Sequence, residues 1–133
     1  MAALDTNVLV RFLVQDDPGQ LAAARRLIRR TIAAGETLFV PVTVTIELEW
    51  VLRASFGFAK ADIVRTLSQL LSSIELQFES ESAVEVALLQ YQKGAADFSD
   101  CLHAGLAAAA GEQPLWTFDR TAAKVAGAQL LVS

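Results

Sequence analysis

Apolar residues recur along this chain in two rhythms: short unbroken or alternating runs, and longer stretches that repeat every three to four positions. The first run, Ala2-Ala3-Leu4, ends on Asp5 and is followed at once by Val8, Leu9, Phe12 and Leu13 at helical spacing. A short apolar run ahead of a helical pattern predicts a buried parallel strand and then a helix over Thr6 to Val14. Gln15-Asp16-Asp17-Pro18 predicts a turn, with Asp17 capping the next helix and Pro18 at its first position. That helix extends to about Ala34 and stops at Gly35. Leu38-Phe39-Val40-Pro41-Val42, crowded with β-branched and aromatic residues, predicts the second strand.

A third helix, capped by Thr43, runs to about Ser55 ahead of Gly57. Val44, Leu48, Val51, Leu52 and Ser55 share one of its faces, from which Glu49 and Arg53 are expected to point away. Glu47 sits at the edge of that stripe. An acid there is costly without compensation, so it is either a rim carboxylate reaching water or a group that meets a partner. Ile63, Leu67, Leu70 and Leu71 predict a fourth helix over Lys60 to Ser72. Ile74 to Phe78 alternates strictly, as a strand at a sheet edge does. Ser80 to Gln92 is helical again, and beyond Gly94 and Ala95 the segment Asp97-Phe98-Ser99-Asp100 opens an alanine-rich helix ending near Gly111. Leu115-Trp116-Thr117-Phe118 is an apolar strand ending in Asp119; a short helix (Thr121 to Ala126) and a last strand (Gln129 to Val132) follow. Strands alternating with helices predict an α/β fold, its parallel sheet covered on both faces. No linker, repeat or low-complexity segment interrupts the pattern, so residues 1–133 are expected to form a single domain.

Composition narrows the picture. Of 133 residues, 53% are hydrophobic and 20% charged, which excludes disorder. A mean hydropathy of +0.40 suits a dense core or an apolar surface for self-association. No apolar run reaches the roughly 18 residues of a membrane span. The single cysteine, Cys101, cannot form an internal disulfide and suits a cytoplasmic location. A net charge of −4 argues against a simple polyanion-binding surface. The charge is uneven, however. Arg25, Arg26, Arg29 and Arg30 form two i,i+4 pairs on the second helix, with Arg11 nearby in sequence. They are either a solvated face or a patch for phosphate or an acidic partner.

The acids carry the candidate chemistry. Two apolar strands end in aspartate, at Asp5 and Asp119, and parallel strands end on one edge of their sheet. Glu47 lies within two turns of the second strand's end. Each also has a plainer reading: Asp5 and Asp97 as helix caps, and Asp100 as a first-turn acid complementing the helix dipole. Four or five carboxylates at one edge repel one another unless a cation sits between them. Hard oxygen donors without convergent Cys or His favour Mg²⁺ or Mn²⁺ over zinc.

Asp5-Thr6-Asn7, then Glu47, then Asp97-Phe98-Ser99-Asp100-Cys101-Leu102-His103-Ala104, then Thr117-Phe118-Asp119-Arg120 resemble, in this order, a PIN domain. Within that superfamily the chain is most similar to the VapC toxins of toxin–antitoxin pairs. The resemblance implies a three-layer α/β/α sandwich around a five-stranded parallel sheet. It also implies a Mg²⁺- or Mn²⁺-dependent endoribonuclease, dimeric, silenced by a cognate antitoxin and not bound to a membrane. By position, Asp5, Glu47, Asp100 and Asp119 match the family's catalytic and metal-binding acids, and Asp97 an additional acid. Thr6 and Asn7 match polar residues that support the site by hydrogen bonding. The arginines at 11, 25, 26, 29 and 30 would then face RNA or the antitoxin. His103 is expected to pack or support, and Cys101 and Ala107 to Ala110 to lie in the core. Two rivals fit less well. A haloacid-dehalogenase-like phosphatase wants an aspartate where Asn7 stands. A receiver-like binding module wants acids in patterns that follow neither Val42 nor Phe78.

Overall fold

In the computed structural model, which describes residues 2–133, three short parallel strands lie side by side. They are β1 (Ala2–Ala3), β2 (Leu38–Val40) and β3 (Leu76–Phe78), in that order, with Ala3 opposite Phe39 and Phe39 opposite Gln77. Parallel strands need crossovers. Here α1 (Thr6–Val14) and α2 (Pro18–Ala33) join β1 to β2, and α3 (Val42–Ala54) and α4 (Lys60–Leu71) join β2 to β3. Leu4 just after β1, Val40 on β2 and Phe78 on β3 are buried, as are Leu9, Val10, Leu48, Leu52, Ile63 and Leu67 on the helices. The start of α2 follows its sequence signature, Asp17 accepting the Gln20 amide at 3.1 Å ahead of Pro18. Gly35 ends that helix at φ +68°, a conformation other residues seldom adopt. Together these elements form one compact unit ending at Glu79; a second runs from Ser80 to Ser133.

Helix α3 departs from expectation in two ways. Strand β2 stops at Val40, because Pro41 has no amide to continue a ladder, and the helix begins at Val42. Thr43 therefore lies inside the first turn and caps nothing. The cap comes from elsewhere: the Val42 amide donates to the Glu79 carboxylate at 2.8 Å. Parallel β2 and β3 end on the same edge, so the residue after one strand reaches the helix that starts after the other. The second departure is a rotation of the buried arc to Val44, Thr45, Leu48, Glu49 and Leu52. Glu49, expected to face away, is only 3% exposed and accepts from the Arg53 guanidinium at 2.8 Å, whereas Glu47 is exposed. Packing against α1 on one side and α4 on the other makes the covered arc wider than the apolar stripe.

The second unit contains α5 (Glu81–Lys93), α6 (Phe98–Ala109), β4 (Leu115–Thr117) and β5 (Ala128–Leu130). Helices α5 and α6 pack closely: a Cβ at Gly105 would stand 3.1 Å from the Ala83 carbonyl oxygen. Tyr91 and Phe98 meet edge to face at 5.5 Å between ring centres. Strands β4 and β5 are parallel, with Trp116 opposite Gln129 and Thr117 opposite Leu130. A single 3₁₀ turn, Ala122–Lys124, stands where a short helix over Thr121 to Ala126 was expected. Cys101 is buried as expected, but the alanine run leaves the core at Ala108, where the last turn of α6 meets solvent.

The α/β class and the parallel pairing thus agree with the sequence pattern. The single five-stranded sheet does not: the strands pair as a three-stranded and a two-stranded sheet, each ladder only two or three residues long. Among the described residues no helix is long and apolar enough to cross a membrane. The distant cap on α3 is testable. Glu79→Ala should lower unfolding free energy by about 0.5–1 kcal/mol, the worth of a charged cap at a helix start. Urea denaturation of wild type and variant measures the difference, with an unchanged m-value showing that the unfolded state is the same.

Candidate functional site

In the first unit β1 delivers Asp5 to its carboxyl end, where Asp5 takes the N-cap position of α1 and accepts the Thr6 amide at 2.8 Å. Thr6 is itself 3% exposed, and its hydroxyl donates to the Glu47 carboxylate on α3. One buried residue thus holds two acids, one through its backbone and one through its side chain. Asp5, Asn7 and Glu47 are exposed. A groove of about 430 Å³ opens at Asn7 and follows α1 and α2 past Val8, Leu27 and Arg30. Arg11, also in that groove, is engaged by the Asp16 carboxylate at 2.8 Å and the Gln20 side chain at 2.7 Å. Arg25, Arg26, Arg29 and Arg30 are exposed and form no ion pair among the described residues.

In the second unit two acids act on a third. Asp97 occupies the N-cap position of α6 yet makes no side-chain capping bond, so the plain capping reading does not describe it. Asp100, half-buried in the first turn, has its carboxyl pushed above the ordinary range. Burial contributes most, Asp97 and Asp119 push in the same direction, and His103 opposes them. Asp119 follows β4 and accepts amides from Thr121 at 2.8 Å and Ala122 at 3.0 Å, while its own amide donates to the Thr117 hydroxyl at 3.0 Å. These bonds set its orientation. Exposed His103 lies one turn beyond Asp100.

Within neither unit do three or more His, Cys, Asp or Glu side chains of the described residues gather into a group that would hold a metal ion. In the second unit Asp97 and Asp119 therefore act on Asp100 through space without the three forming such a group. Glu79 was missed in the sequence pattern. Its signal was present: it is the acid directly after the third strand, at the edge where Asp5 follows the first.

The family described as PIN domain matches residues 2–128. A protein named VapC ribonuclease, from Aquifex aeolicus (strain VF5), is 28% identical over 120 residues, covering 90% of this chain and 88% of that protein.

Two measurements test this geometry. Thr6→Val keeps the shape but removes the hydroxyl that Glu47 receives, and should cost about 0.5–1.5 kcal/mol in chemical denaturation, with Thr6→Ser close to wild type. For Asp100, the folded protein binds the proton more tightly than the unfolded chain. Its penalty is absent below the ordinary value of 3.8, grows as pH rises through it, and is complete above the raised folded value. Asp100→Asn should therefore raise the melting temperature at pH 7 in metal-free buffer, and the advantage should vanish under acid.

Proposed function

The chain belongs to the PIN domain family, and from that premise we propose that it is a Mg²⁺- or Mn²⁺-dependent endoribonuclease. In this reading it is the toxin of a toxin–antitoxin pair, works as a homodimer and is silenced by a cognate antitoxin. Asp5, Glu47, Asp100 and Asp119 carry the reaction and hold the metal, Asp97 is an additional acid, and Thr6 and Asn7 support them. One observation carries most weight. Asp100, in a chain of this family, is held towards its protonated form by burial and by two neighbouring acids.

The donor set fits a hard cation. Every candidate ligand is a carboxylate oxygen, which suits Mg²⁺ or Mn²⁺ rather than zinc. Crowding at Asp100 is the kind of strain that a divalent charge relieves. Mg²⁺ keeps several of its waters, so it does not need three side chains already gathered at ligating distance. When bound, such an ion lowers the pKa of a water and offsets negative charge developing on the scissile phosphate.

The protein's own residues supply position. Thr6 fixes the Glu47 carboxylate, and the Thr6 amide and the paired amides of Thr121 and Ala122 orient Asp5 and Asp119. Water rather than the ribose 2′-oxygen attacks phosphorus, leaving a 5′-phosphate and a 3′-hydroxyl. His103 is the only histidine, so the paired-imidazole route through the 2′-hydroxyl has no residues to run it. The exposed arginines of α2 face RNA or the antitoxin.

Asp5→Asn and Asp100→Asn should each lower RNA cleavage by at least about 100-fold while leaving the circular dichroism spectrum unchanged. Removing even a group that only orients a metal ligand costs 10- to 100-fold. Expression of the wild-type chain alone should arrest growth and the Asp5→Asn chain should not. Cleavage at full rate in EDTA would overturn the proposal.

A further inference from the structure

The second unit carries a feature that its acids do not use. Trp116, on β4, is 54% exposed, and Phe118, just past the strand and directly before Asp119, is 69% exposed. Leu115 and Thr117, between and before them, are half-buried. Side chains two apart on a strand share a face at a spacing of about 6.6 Å, so the alternation sets both rings outward. Gln129, opposite Trp116 on β5, is exposed as well. Leaving two large rings in water forgoes burial that ordinarily stabilises a fold.

Beyond Asp119 the sequence supplies two cations close to the rings along the chain. Arg120 and Lys124 follow Phe118, both exposed and in no ion pair among the described residues. Building on the ribonuclease reading, we infer that Trp116 and Phe118 are a stacking platform on which two successive bases of an unpaired RNA lie as its backbone passes Asp119. Aromatic rings on an open strand face take splayed bases in this way, tolerant of sequence because every base has a π-face. Arg120 and Lys124 meet the flanking phosphates. A chain of net charge −4 has little general attraction for RNA, and stacking supplies affinity that charge does not. A second copy is the poorer occupant. A two-fold interface would set this patch against itself, bringing Arg120 and Lys124 towards their own like-charged counterparts.

The full chain carrying Asp100→Asn is used so that cleavage is slowed during the titration, and adding Trp50→Phe leaves Trp116 as the single tryptophan. Titration with a fluorescein-labelled unpaired RNA of about eight nucleotides, within the site size of a single-strand-binding surface, should quench Trp116 and raise anisotropy. Phe118→Ala should weaken binding about 5- to 150-fold, the range for losing one stacked base. Phe118→Tyr should restore it, and Phe118→Leu, which keeps apolar bulk, should not. Arg120→Gln should flatten the slope of log affinity against log salt by about 0.7. If Phe118→Ala and Trp116→Ala bind as tightly as the parent, the platform falls, and the ribonuclease reading stands as long as the wild type cuts. Quenching by RNA, when the wild type cuts neither that RNA nor total cellular RNA in Mg²⁺ or Mn²⁺, upholds the platform and sinks the ribonuclease. No binding at all, or Trp116 emission that follows protein concentration rather than RNA, overturns the platform.

Discussion

Parallel strands bring their carboxyl ends to one edge of a sheet, and much of the first unit follows from that constraint. Three ends meet there, so Asp5, the start of α3 and Glu79 become neighbours in space although they are far apart in sequence. Acids collected on one edge repel, and each must find a donor. Asp5 has the Thr6 amide, Glu47 the Thr6 hydroxyl and Glu79 the Val42 amide. Two of these donors belong to helix starts, where unpaired amides and the helix dipole favour negative charge. The edge that gathers the acids is thus also the edge that supplies their partners.

The second unit treats its acids differently. Asp119 accepts two backbone amides on one oxygen, but Asp97 stands at a cap position without making the bond, and burial with two neighbouring acids pushes the Asp100 carboxyl above its ordinary range. Amides on one oxygen of a carboxylate fix its orientation and leave the other oxygen for a ligand. A carboxylate left short of donors and pressed by like charge has interaction free energy still to gain from a cation or from an electrophile it can orient.

The order of elements, the buried runs and the motifs around Asp5, Asp100 and Asp119 were legible because each rests on local periodicity or on a short string of residues. Asp17-Pro18 and Gly35 were legible for the same reason: a cap and a left-handed glycine act within a few residues. Glu79 over Val42, and Glu49 rather than Glu47 as the covered acid, were not. Both depend on which elements pack together, a quantity that apolar periodicity along one helix does not contain. How the strands divide into sheets escaped for a related reason. A ladder of two or three residues leaves almost no trace in a sequence.

Helix α2 holds a consequence of another kind. From Pro18 to Ala33 it contains no acidic residue, and its four exposed arginines stand in like-charged pairs that slightly oppose the helix they sit on. The fold owes them nothing, since exchanging such surface residues leaves stability within about half a kcal/mol. If these arginines meet RNA or the antitoxin, as proposed, that contact can change one exchange at a time while the core beneath it stays put. In that reading recognition and folding rest on separate residues, so two chains could share this scaffold and still ignore each other's partners.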